Sequence, residues 1–135
     1  MKRYLVVLSL ALVGLVGVGT TLYAHHSFAA TYKEDERITV EGELVQFLFR
    51  NPHSWVHVNV REKDGTVRRY AVEWAGSAQL AAQGINQQTL KVGDKVQITG
   101  SPGRSYPSTP QMRLVTMQRL DGSLEWGKKP GEVVD

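Results

Sequence analysis

The stretch from Trp55 to Trp74 constrains the fold of this chain more than any other. Trp55 to Val60 (WVHVNV) alternates without a break, with Val56, Val58 and Val60 on one face and Trp55, His57 and Asn59 on the other. That is the period-two pattern of a strand with one buried side. Lys63-Asp64-Gly65 reads as a three-residue hairpin loop with glycine in the left-handed position. The returning segment, Val67 to Trp74, has Tyr70, Val72 and Trp74 on its more apolar face and Arg69, Ala71 and Glu73 outward. Such a loop pairs Trp55 with Glu73, His57 with Ala71 and Asn59 with Arg69. A slip by one residue would mix the two faces, so the alternation itself selects the register.

The remaining elements are arranged around this hairpin. Thr31 to Arg37 (TYKEDER) is polar and reads as an exposed lead-in. Ile38 to Phe49 alternates at first, through Ile38, Val40 and Leu44, then changes phase through Val45, Phe47 and Phe49. A phase change beside Gly42 predicts a bulge or sharp bend there. Asn51-Pro52 forces a turn. After the hairpin, Ser77 is placed to N-cap a short helix over Ala78 to Gln83, which Gly84 closes. Lys95 to Gly100 and Met112 to Leu120 read as the fourth and fifth strands, separated by the Pro/Ser/Gly loop Ser101 to Pro110. Residues 122–135 form a largely polar tail, with Trp126 its only aromatic side chain, and are expected to be flexible. Five strands with one short helix between the third and fourth predict an all-β, five-stranded OB-like small barrel over residues 38–121. An open antiparallel sheet or sandwich is the alternative.

The first 24 residues fix an expectation about address. Lys2 and Arg3 precede an uncharged apolar run from Tyr4 to Gly19, and Thr20 to Ala24 ends in a small residue. This is the order of a secretory signal peptide cleaved after Ala24, which would place the working domain in the periplasm or outside the cell. The run also approaches the ~20 apolar residues of a membrane helix, so a retained anchor is the alternative. Removing the segment changes the charge balance. Two of the 16 Lys and Arg residues lie in it and none of the 13 Asp and Glu residues do, which leaves 14 against 13. With no Lys/Arg cluster left, the expectation is a partner other than nucleic acid, and no membrane association after cleavage. The absence of cysteine excludes disulfides, thiol catalysis, iron–sulfur sites and a lipoprotein anchor.

His25-His26-Ser27-Phe28, Asn51-Pro52-His53-Ser54-Trp55 and Leu90-Lys91-Val92-Gly93-Asp94-Lys95-Val96 together resemble an uncharacterised family of exported bacterial proteins. These carry a domain of unknown function and begin His-His-Ser-Phe after the signal peptide. The resemblance runs to about Leu120. It implies export and a single domain, and supplies no catalytic residue.

Two constellations are candidates for chemistry. The outer hairpin face, Trp55, His57, Asn59, Arg69 and Glu73, offers an aromatic beside polar and charged groups, suited to a small polar ligand or a protein partner. Trp55 opposite Glu73 and Asn59 opposite Arg69 are also ordinary cross-strand pairs. The second constellation is the four histidines, His25, His26, His53 and His57. After cleavage at Ala24, the free α-amine and Nδ1 of His25 would chelate Cu(II), with His53 or His57 as a third nitrogen. The resemblance to copper proteins with a terminal histidine would make this a histidine brace. His53 and His57, four apart on an extended chain, are ~13 Å apart, so at most one joins. An arm that simply packs Phe28 explains the same residues without a metal. No hydrolase, metalloprotease or phosphate-loop motif is present, and catalysis is not expected.

Overall fold

Val56, Val58 and Val60 turn inward, as the alternation requires, and with Leu44, Tyr70, Val72, Val96, Ile98 and Met112 they form a dry core. The computed structural model describes residues 28–127. The chain divides into two compact units, residues 1–31 and 32–135. In the first, the described residues Phe28 to Thr31 are helical. The second holds the barrel. No helix among the described residues is long and apolar enough to cross a membrane.

The elements run β1 (Ile38–Leu48), β2 (Trp55–Arg61), β3 (Val67–Glu73), α1 (Ser77–Ala81), β4 (Lys95–Pro102), β5 (Gln111–Arg119) and β6 (Glu125–Trp126). The sheet order is β3-β2-β1-β4-β5-β6, and a parallel pairing of β3 with β5 closes five strands into a barrel. The architecture is therefore an all-β, OB-like small barrel with very little helix. Closure matters to a chain without disulfides, because it removes the sheet edges that would otherwise pair with other chains.

The hairpin has the register read from its alternation. Trp55 faces Glu73, His57 faces Ala71 and Asn59 faces Arg69. Glu62 N–H donates to Thr66 O at 2.8 Å, which leaves Lys63-Asp64-Gly65 as the loop, with Gly65 at φ 86°. The irregularity in β1 falls elsewhere than expected, between Leu44 and Gln46. Val45 is the extra residue, and the phase changes there. Gly42 is needed for a different reason, since a Cβ at this position would lie 2.6 Å from Asn59 O. Its missing side chain lets β2 approach β1.

Three further differences have physical causes. Ser77 is the first residue of α1 and not its cap, since Gly76 stands at the N-cap with no side-chain bond of its own. Asn51 Oδ1 accepts from Ala78 N–H at 3.3 Å instead. A Cβ on Gly76 would meet Pro52 O and Asn51 Oδ1 at 2.6 and 2.7 Å, so glycine makes room for this remote cap. The polar segment 31–37 is not a simple exposed lead-in, because Tyr32 is only 1% exposed. Lys33 N–H bonds Pro102 O at 2.9 Å and Arg113 pairs with Glu34 at 3.3 Å, which seats the segment on the barrel wall. Finally, Glu125–Trp126 adds a sixth strand within the polar tail. Trp126 stacks edge-to-face on Trp74 at 5.1 Å and donates Nε1–H to Gln83 Oε1 at 2.8 Å.

Candidate functional site

Alternation along β2 carries Trp55, His57 and Asn59 to the outside of the barrel, where all three are half-buried, while Arg69 on β3 is exposed. On the other flank β1 sets Leu48 beside Trp55, Gln46 beside His57 and Glu43 beside Asn59. Arg50 extends the face beyond the end of β1. The turn that carries it is pinned: buried Ser54 donates Oγ–H to Arg50 O at 3.2 Å, and Ser77 N–H donates to the same carbonyl at 3.0 Å.

The electrostatics of the face are read most directly at His57. Partial burial, and then the positive charges of Arg69 and Arg50, hold its imidazolium form below the ordinary histidine range. Two guanidinium groups therefore set a positive field around a neutral imidazole, with the Trp55 ring alongside. Four of the five residues expected on this face are grouped there and accessible. Arg50 was not anticipated, because it follows the strand and lies outside the alternating pattern.

Glu73, the fifth, points outward in register but is covered. It is 8% exposed. The Tyr32 hydroxyl makes a short hydrogen bond to Glu73 Oε2 and accepts one from Gln111 Nε2 at 2.9 Å. His53 Nδ1 lies 2.9 Å from Glu73 Oε1. Burial and the bond to Glu73 push the Tyr32 phenol well above its usual range. Both carboxylate oxygens are thus engaged, and Glu73 acts as an anchor for Tyr32 and His53 rather than as an open ligand contact. Neither partner was visible in the sequence, since Tyr32 and Glu73 are 41 positions apart and meet only after closure.

The histidine constellation separates. His25 and His26 lie outside the described residues. His57 sits on the cationic face, and His53 is held at Nδ1 by Glu73, an arrangement that orients the ring. Among the described residues, no three His, Asp or Glu side chains converge to hold a metal ion.

Solved structures similar to this chain include two crystal forms of Rim1, a mitochondrial single-stranded DNA binding protein from S. cerevisiae. One is 13% identical with a TM-score of 0.48, covering 70% of this chain and 98% of that chain. The other is 10% identical with a TM-score of 0.48, covering 63% and 93%. These matches correct the expectation that set nucleic acid aside. Net charge averages over the whole surface, so a balance of 14 against 13 is no ground for exclusion. At this level of similarity they assign no ligand to the present chain. No curated protein matches it. A family of unknown function, DUF6152, matches residues 12–110, and the chain belongs to that family.

Proposed function

We propose that this protein is an exported binding module whose outer hairpin face takes a ligand combining an anionic group with a flat or apolar surface. The observation that carries the reading is the cluster at His57, where Arg50 and Arg69 create a positive field beside Trp55. A carboxylate or phosphate would lie between the two guanidinium groups, which offer fixed forks of donors. An aromatic or aliphatic part would cover the Trp55 ring. Asn59 supplies one amide donor and one amide acceptor at the edge of the same face. Export is supported by the charged, apolar and small-residue order of residues 1–24.

The test uses benzoate, naphthoate and inorganic phosphate as probes, titrated into isotopically labelled protein by NMR. Shifts should cluster at Trp55, His57, Asn59 and Arg69, with naphthoate the tightest, at affinities around millimolar for fragments of this size. The double variant Trp55→Ala with Arg69→Ala should abolish them while keeping the dispersed spectrum of the folded barrel. Shifts confined to another surface, or unaltered in the double variant, overturn the reading.

A further inference from the structure

The outer face does not stop at Asn59. Beyond it the same strands form a cleft of about 390 Å³, walled by Asn59 and Arg61 of β2, Val67 of β3 and Leu120 after β5. Val67 and Leu120, 54% and 50% exposed, supply the apolar part of its lining. Glu41, Glu43 and Lys95 complete the wall. Lys95 is paired with Glu43, Glu41 accepts from Gln97 and Arg61 donates to Gly65 O. This end therefore carries no net positive field, in contrast to the Arg50/Arg69 end.

We propose that face and cleft form one elongated site for an extended peptide segment, acidic at one end and apolar at the other. The proposal rests on the binding-module reading above and names its partner class. Trp55, His57, Asn59 and Arg61 project on one side at every second residue of a seven-residue strand. Six steps of ~3.3 Å give a track of about 20 Å, the length of about six or seven extended peptide residues. Charge complementarity decides the occupant. A uniformly charged polyanion would gain at Arg50 and Arg69 but find no net attraction at the far end, where Glu41 and Glu43 offset Lys95 and Arg61. A segment that changes from acidic to apolar along its length is matched throughout, with its apolar part in the cleft that Val67 and Leu120 line. Asn59, at the junction, has the donor and acceptor of a peptide unit.

Fluorescence polarisation of labelled seven-residue peptides tests this. One peptide has the order Asp-Asp-Gly-Ser-Gly-Leu-Val, a second has the same residues with acidic and apolar positions alternating, and a ten-residue oligothymidylate is the third probe. The segregated peptide should bind at least tenfold tighter than the alternating one. Leu120→Asp, a change at an exposed position, should weaken it about tenfold while leaving naphthoate binding at the Trp55 end unchanged. Equal affinity for both peptides, or indifference to Leu120→Asp with naphthoate still bound, overturns the elongated peptide site and leaves the module reading standing. Tighter, Leu120-independent binding of the oligothymidylate overturns the peptide assignment in favour of nucleic acid. If neither naphthoate nor any peptide binds this face, both readings fall together.

Discussion

His57 concentrates the behaviour of the candidate site in one side chain. Its imidazolium is disfavoured in the fold by burial and by the facing charges of Arg69 on β3 and Arg50 after β1, while the register neighbours Gln46 and Ala71 carry no charge. The unfolded chain therefore takes up this proton first, near the ordinary value of about 6.5. The stability that neutral His57 allows is complete above that value. It is lost as pH falls through the window between the unfolded and the lowered folded value, and does not change further below it. An anionic ligand acts in the opposite sense, because it stabilises the imidazolium and so binds more tightly as pH falls through the same window. Urea midpoints and naphthoate affinities measured from pH 7.5 to 5 should thus move in opposite directions. His57→Gln should remove the part of each slope that it owns, read as the difference between wild type and variant.

At the scale of elements, β2 and β3 were legible because local alternation and a short loop determine both faces and register. Trp55, His57, Asn59 and Arg69 could be placed on one surface for that reason alone. What was illegible depends on contacts distant in sequence. Gly42 looked like the site of the bulge, yet the bulge is at Val45 and Gly42 serves the close approach of Asn59 O. Ser77 looked like a cap, yet Asn51, from the turn before the hairpin, caps α1. Glycine marks that something unusual happens to a backbone without saying what. Gly42→Ala tests the distinction. A bulge would tolerate alanine, whereas a Cβ 2.6 Å from the Asn59 carbonyl must push β2 away. The expected loss is about 1–3 kcal/mol of unfolding free energy, the range for overpacking, read from urea denaturation. Val45→Ala should cost less, because Val45 is only partly buried.

For the whole molecule, closure is the feature on which both stability and site depend, and Tyr32 is its fastener. The β3–β5 seam has three residue pairs, Ala71 with Gln111, Val72 with Met112 and Glu73 with Arg113. Tyr32 lies across it, bonded to Glu73 of one strand and Gln111 of the other. Removing only the hydroxyl, in Tyr32→Phe, leaves a buried carboxylate oxygen and the Gln111 amide without that partner. The cost of such an orphaned group is about 1–3 kcal/mol, which lowers Tm by roughly 5–15 °C in a domain of this size. Tyr32→Ala also removes a fully buried ring and should cost about 3–5 kcal/mol, by comparison with Phe→Ala in cores. The phenol adds a pH signature. Because its ionisation is pushed up in the fold, the stability it contributes is complete below about pH 10, where a free tyrosine begins to titrate, and is lost as pH rises above it. Tyr32→Phe should flatten part of that alkaline slope, leaving the part owned by Tyr70, whose phenol is also pushed up by burial and its neighbours. Hydrogen exchange separates a fastener from an ordinary core residue. The Ala71 amide, bonded across the seam to Pro110 O at 2.9 Å, should lose more protection in Tyr32→Phe than the amides of Val56 and Val58 in β2. Equal losses at all three would mean that Tyr32 supports the core as a whole and that the seam holds without it.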